Sequence, residues 1–423
     1  MPDAGLCSGG CRVTCPSGSV TTVSGTVFAP NGTLPIYNAV VFAPSAPLPP
    51  IPASLSCDRC TDENSAHASA SARSDALGHF TLVDPPAGTD VPLVVQIGKW
   101  RRQVTIPSIT PCQENAIDDP ELTRLPKNRA EGDMPRIAMV TGACDNLICQ
   151  VSKIGIDPGE WGISGDDKVV TFFDTGVVDD NGVLWDFVGL KRFDQHLKQM
   201  KPASELWWSF DELKKYDMVI HSSECGENLS NKGPPAYQAM TDYLNAGGRL
   251  LGPVYESVWF RNSPDPAVTS AVQIYPQIPD PFLGANPVYV DTSVPKGKAL
   301  ADWLQKIAPG APYGEVSPLA NYRMAQSVSP PAEVWASSHA SDADSPLEPR
   351  VYSLDMPAGA PPEQRCGRSV HLDMRLNEGL PLSFVNFPDD CGDRFFPGEQ
   401  VLAFFMFDVG SCIRDDGPPP PPK

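Results

Sequence analysis

Four apolar runs beyond residue 135 constrain the fold more than any other feature of this chain. RIAMVTG (136–142), KVVTFFD (168–174), KKYDMVIHSS (214–223) and RLLGPV (249–254) lack polar/apolar alternation, so each reads as a strand buried on both faces. Between them, DNLICQVSKIGI places Leu147, Val151 and Ile154 at helical spacing, and PAYQAMTDYLNAGG closes on Gly247 and Gly248 as a helix stop. Such strands separated by helices predict a parallel sheet covered on both faces.

The region before residue 125 follows a different period. VSGTVFA, NAVVFA, HFTLV, VPLVVQI and RRQVTI are short runs rich in Val, Thr, Phe and Ile, bounded by Pro, Gly and Asn, and they predict a β-sandwich. Phe80, Leu82, Leu93 and Val95 alternate inward with period two, and Gly78 and Gly88 suit turns that need positive φ. SGTVFAPNGTLPIYNAVVFAP, SDALGHFTL and PPAGTDVPLVVQ resemble the opening strands, the Asp-x-x-Gly-x-Phe hairpin and the Pro-Ala-Gly turn of the carboxypeptidase-regulatory-like family, a transthyretin-type sandwich. The resemblance implies a carbohydrate-binding-like module over 23–125, interrupted by a proline-rich excursion before the hairpin.

The second region resembles the class I glutamine-amidotransferase-like superfamily and its ThuA-like branch. RIAMVTG, YDMVIHS with the turn SECGE, and above all MTDYLNAGGRLLG carry the likeness, which resumes at GRSVHLDMR. Together the two resemblances imply a multidomain chain, an N-terminal all-β sandwich plus a C-terminal α/β flavodoxin-like three-layer domain with a large insertion. The expected boundaries are a polar Cys/Gly/Ser-rich leader (1–22), the sandwich (23–125), a linker (126–134), the α/β domain (135–413) with an elaboration (261–365), and a disordered proline-rich tail (414–423). The elaboration contains one helix candidate, KGKALADWLQKI, and two strand-like pieces, NPVYVD and PRVYSLD, and is expected to pack on the carboxyl edge of the sheet. GEQVLAFFMFDVG is expected to be an amphipathic helix.

Composition narrows the partners. The chain has 423 residues, a length suited to two domains, and its 47 prolines imply long loops. The net charge of −19, from 51 acidic and 32 basic residues, repels phosphate backbones, so nucleic acid is excluded as an expected partner. No run approaches the ~18–20 apolar residues of a membrane helix. Twelve cysteines, mostly in loops, fit disulfides and an oxidising compartment, extracellular or cell envelope. MPDAGLCSGG has no basic-then-apolar signal, and a removed leader reconciles the two. CDRC (57–60) lacks the second ligand pair of a zinc site. No cofactor or metal is expected, with Asp174, Asp186, Asp291 and Asp373 read as solvated loop residues rather than calcium ligands.

Two candidate sites follow. Cys225 sits in a turn after a buried strand, where the amidotransferase-like resemblance implies a nucleophile, with His371 as base and Asp373 orienting it. The family's Gly-x-Cys-x-Gly elbow is replaced by Ser223, Glu224, Cys225, Gly226 and Glu227, and acidic neighbours disfavour a thiolate. His221 reads as a core-edge histidine. Trp100 beside Arg101 and Arg102 forms either a stacking platform for a sugar or partner, or a tryptophan packed at the sandwich edge with solvated arginines. These readings lean to a non-catalytic extracellular protein binding a glycan or a partner protein, the alternatives being a cysteine hydrolase or amidotransferase-like enzyme and a structural component of a surface assembly.

Overall fold

The computed structural model describes residues 8–16, 18–57, 68–142, 144–145, 147–175, 200–276, 283–341, 344–377 and 391–410. Cys7, Cys60, Asp186, Cys412 and the 414–423 tail lie outside them. The N-terminal strands are β1 (Thr22–Thr26), β2 (Val40–Pro44), β3 (Ala68–Arg73), β4 (His79–Val83), β5 (Gly88–Ile97), β6 (Trp100–Ile109) and β7 (Glu114–Ile117). They form a three-stranded sheet, β4-β1-β7, and a four-stranded sheet, β3-β2-β5-β6. Phe80 and Leu82 are buried while His79, Thr81 and Val83 point out, as strand periodicity requires. Val23, Phe80 and Leu82 of one sheet and Val41, Leu93 and Val95 of the other enter one buried cluster. The hairpin before β4 turns on Gly78 at φ 79°, where a Cβ would fall 2.7 Å from the Val27 carbonyl oxygen.

The larger sheet has ten strands. Its core is β8 (Ile137–Val140), β9 (Trp161–Ile163), β10 (Val170–Phe173), β11 (Met218–His221), β12 (Arg249–Pro253) and, much later, β19 (Gly367–Leu372). These run parallel in the order β9-β10-β8-β11-β12-β19. Ile137 and Met139 of β8 face one buried cluster, whereas Ala138 and Val140 face a second on the opposite side. Both sides being dry explains why these strands do not alternate. The helices in this region are α1 (Cys149–Lys153), α2 (Ala203–Trp207), α3 (Phe210–Leu213), α4 (Pro234–Asn245), α5 (Val258–Arg261) and α6 (Pro266–Ala271).

Residues 261–365 meet the carboxyl end of β19 around 320–325, where Tyr322 and Ala320 hydrogen-bond to Asp373 and Arg375. After β13 (Val272–Ile274), strands β14 (Val288–Val290), β15 (Glu315–Val316), β17 (Ala332–His339) and β18 (Leu347–Met356) extend the large sheet sideways, antiparallel, beyond β19; β16 (Ala325–Val328) pairs with β13 instead. NPVYVD and PRVYSLD supply β14 and part of β18, whose backbone groups find partners in the sheet rather than on a surface loop. KGKALADWLQKI forms most of α7 (Pro295–Ile307).

The last described helix, α8 (Pro397–Gly410), departs from its expected amphipathic character. Val401 to Val409 are all 4% exposed or less, so the helix is buried all round. Phe404 stacks on Tyr37 of the N-terminal region at 5.8 Å and meets Trp303 of α7 at 5.7 Å. Phe407 packs on Trp100 at 5.8 Å and Phe405 on Trp335 of β17 at 5.4 Å. Asp408 pairs with Lys296 at 2.9 Å and Arg368 at 3.3 Å. The expected linker 126–134 is tied down as well: Asp133 holds Arg101, Glu131 holds Arg124, and Arg129 holds Glu160. N-terminal, central and inserted regions therefore share one core.

Disulfides reinforce that union. Cys15 joins Cys112, Cys57 joins Cys366, Cys144 joins Cys225 and Cys149 joins Cys391; Cys11 is bridged too, and no described cysteine is free. Such bridges fit an oxidising environment. A shared core predicts a single cooperative urea transition for the intact protein. Phe404→Ala is expected to cost about 3–5 kcal/mol without splitting that transition, and separate transitions for the two ends of the chain would refute the shared core.

Candidate functional site at the carboxyl ends of the parallel strands

Cys225 lies on the loop after β11 with φ 66°, and its sulfur is bonded to that of Cys144 on the loop after β8. A bridged sulfur carries no thiolate, so in this state Cys225 is no nucleophile. His371 of β19 and Asp373, the first residue past its end, are neighbours, His371 Nε2 lying 2.9 Å from Asp373 Oδ1 but outside hydrogen-bonding geometry. The His371 ring is 1% exposed, between Tyr352 at 5.1 Å and Phe260 at 5.8 Å. Asp373 Oδ2 accepts the Ala325 backbone N–H at 3.1 Å, a positioning role inside the sheet.

Of the two readings of Trp100, the structure has the packed tryptophan and no exposed stacking platform. Trp100, the first residue of β6, is 2% exposed because its indole is the surface on which α8 packs. Arg101 is committed to Asp133 at 2.7 Å, and Arg102 donates to the carbonyl oxygen of Glu121 at 2.7 Å. Among the described residues no group of three or more His, Cys, Asp or Glu gathers as a metal site.

The structure instead assembles polar side chains that the sequence leaves scattered. Pairing registers place Gly252 of β12 beside His371 of β19, and His371 beside Tyr352 of β18; His221, the next residue after the Ile220/Leu251 pair, falls on the other side of Gly252. The result is a row along the carboxyl ends of the parallel strands, where open α/β sheets bind ligands. Gly252 is the notch in that row: a Cβ there would fall 2.8 Å from Glu256 Cβ. The space lets Glu256 fold back so that its Oε2 meets His221 Nδ1 at 2.6 Å and accepts Trp259 Nε1–H at 2.9 Å. The rings of Trp207 and Trp259 flank His221 at 5.4 and 5.7 Å. Beside them Lys232 Nζ donates to Glu224 Oε2 at 2.6 Å and lies 5.0 Å over the Trp207 ring.

All four ionisable groups are at most 2% exposed, and His221 Nε2, Glu256 Oε1, Glu224 Oε1 and Ser257 Oγ have no hydrogen-bond partner among the described residues. With Nδ1 engaged by Glu256, Nε2 is the unpartnered ring nitrogen: it donates when the imidazole is charged, and in the neutral ring with Nδ1–H on Glu256 it has the orientation of a general base. Ser257 supplies a hydroxyl, but its Oγ has no hydrogen-bond partner among the described residues, so no base there activates it. After β12 the chain turns sharply into a 3-10 turn (Val254–Ser257) and α5, the strand-to-helix geometry that presents a nucleophile in hydrolase elbows. The residue at that turn is Val254, at φ 48° and 1% exposed. A β-branched residue in the left-handed region is strained, and its side chain offers neither hydroxyl nor thiol. Sequence reasoning passed over Glu256 and Val254. The signal was Gly252-Pro253 breaking an apolar strand two residues before a glutamate.

Burial pushes the Glu256 carboxyl up, but the charges of Lys232 and His221 and the hydrogen bonds from His221 and Trp259 outweigh it and hold the group down to about 2. Burial, then repulsion from Glu256, pushes Glu224 up to about 7 against the pull of Lys232. Below its ordinary 4.5, Glu256 contributes stability that is present above pH 4.5 and lost as pH falls towards 2. Raised above 4.5, Glu224 contributes stability present below that pH and lost as pH rises through 7. Glu256→Gln strips His221 and Lys232 of a buried partner charge and is expected to cost ~3–5 kcal/mol at neutral pH. It should also flatten both limbs of a plot of urea-denaturation stability against pH from 3 to 8; unchanged limbs would refute the coupling.

No family model and no curated protein matches the chain. Solved structures similar to it include a protein of Bacteroides uniformis described as ThuA-like, 13% identical over 65% of this chain and 91% of that one, with a TM-score of 0.32. A cytoplasmic protein of Salmonella typhimurium is 11% identical over 65% and 97%, also at 0.32. A cohesin–X-dockerin complex of Acetivibrio cellulolyticus is 17% identical over 25% of this chain and 56% of that one, at 0.16. Likenesses this slight carry no argument about activity.

Proposed function

We propose that this chain is a non-catalytic protein, secreted or envelope-associated, that binds a glycan or a protein partner. The observation that carries the reading is the Cys144–Cys225 bridge, which occupies the sulfur that a thiol enzyme would need. Val254 supports it from the neighbouring turn. In this reading β1 to β7 are a carboxypeptidase-regulatory-like sandwich, as the SDALGHFTL and PPAGTDVPLVVQ phrases imply, and the parallel strands are a ThuA-like, flavodoxin-layered domain whose chemistry has been lost. The buried Trp100 moves the ligand contact away from β6 and onto another surface. Folds host many functions, so the glycan rests on the sequence resemblance.

One observation favours a second reading. The His221–Glu256 pair with an unpartnered Nε2 is the arrangement by which a hydrolase activates water. It needs no side-chain nucleophile.

The non-catalytic reading and the cysteine-enzyme alternative separate in one measurement. Native protein is treated with iodoacetamide without reductant, digested and mapped by mass spectrometry. Recovery of Cys225 in a cross-linked peptide with Cys144, unmodified, is the expected outcome. Stoichiometric alkylation of Cys225 would overturn the non-catalytic reading.

A further inference from the structure

A cleft of about 470 Å³ opens far from the row of histidines, between the end of α7, the following turn into β15, and the start of α8. Its volume lies within the range of small-molecule sites. Ile307 and Phe395 give it apolar walls, and Glu315, Asp393, Arg394 and Gln400 set polar groups around them. Among the described residues these four side chains take no hydrogen-bond or ion-pair partner of their own. Phe395 is held on its other flank by Lys153, whose Nζ lies 5.7 Å from the ring centroid. Lys153 is fixed in turn by Glu399 at 2.5 Å, and α8 is anchored there by the Cys149–Cys391 bridge. Phe395 and the start of α8 are thus tied to α1 by an ion pair and a disulfide.

The chemistry of the lining selects a ligand class. Among the described residues, two carboxylates against one guanidinium line the mouth of a chain of charge −19, which disfavours phosphates and carboxylates. A purely apolar ligand would strand the polar rim without partners, at a desolvation penalty for each group. A pyranose meets both demands, because its C–H face lies against Ile307 and Phe395 while its hydroxyls donate to Glu315 and Asp393 and accept from Arg394 and Gln400. We propose that this cleft binds a neutral carbohydrate of one or two pyranose rings. This deepens the binding reading above by giving it a site, and rests on it.

The test uses the intact, oxidised protein and a panel of maltose, cellobiose, lactose, mannobiose and chitobiose, with glucuronate as the anionic control, read by saturation-transfer NMR and titration calorimetry. At least one neutral disaccharide is expected to bind, more tightly than glucuronate. Glu315→Gln and Gln400→Ala should each weaken it roughly tenfold, the effect of one lost hydrogen bond in a charged setting, with the urea midpoint unchanged. Phe395→Leu, which keeps an apolar wall, should weaken binding less than Phe395→Ala. Absence of binding across the panel, preference for glucuronate, or affinities that ignore these substitutions would each overturn the proposal. Its failure would leave the bridged Cys225 untouched, whereas an alkylated Cys225 would sink the non-catalytic reading whatever the cleft binds.

Discussion

The burial of α8 is the constraint on which the rest of the molecule depends. A helix whose residues 401 to 409 are almost entirely withdrawn from water must be surrounded, and three parts of the chain do the surrounding. Tyr37 and Trp100 come from the N-terminal sheets, Trp303 and Trp335 from the insertion, and Arg368 from the parallel sheet. Each Phe so covered stabilises the fold by about 1.5–3 kcal/mol through removal of apolar surface. Asp408, the one charge within that stretch, is tolerated because Lys296 and Arg368 both reach it. Segments that look like separate modules are facets of one interior built around this helix.

At the carboxyl ends of the parallel strands the same low-dielectric interior has another effect. His221, Glu256, Glu224 and Lys232 are buried with only partial mutual satisfaction, an arrangement that costs stability unless something compensates. Proteins keep such groups where chemistry or specificity once needed them, and the strained Val254 turn lies in the same place. At this edge the sulfur of Cys225 is cross-linked and the turn residue is apolar.

How much of this was legible beforehand depends on the range of the signal. The apolar runs that became β8, β10, β11 and β12, and the helix ending at Gly247, were readable because each is a local pattern with a physical cause. The role of Trp100 was not, since a tryptophan beside two arginines looks the same whether its ring faces water or a helix that is 300 residues away in the chain. The all-round burial of α8 was hidden for a related reason: a 14-residue helix with one glutamate and one aspartate reads as two-faced until Lys153 and Lys296 are seen to reach those carboxylates. NPVYVD and PRVYSLD were recognised as strands, but strand partners are a matter of topology, and no local feature says that β18 lies beside β19. The bridge from Cys225 to Cys144 belongs to the same class, for loops at adjacent strand ends are neighbours only once the sheet has formed.

The bond between Cys57 and Cys366 joins residues 309 positions apart. A ribosome delivers the first of these sulfurs long before the second, and α8 later still. During translation the early sheets are therefore made before the helix that covers their aromatic surface, and Cys57 before its partner thiol. Oxidation at Cys57 that ran ahead of synthesis would leave only wrong partners to choose from, so the order of assembly matters to this chain as much as its final contacts.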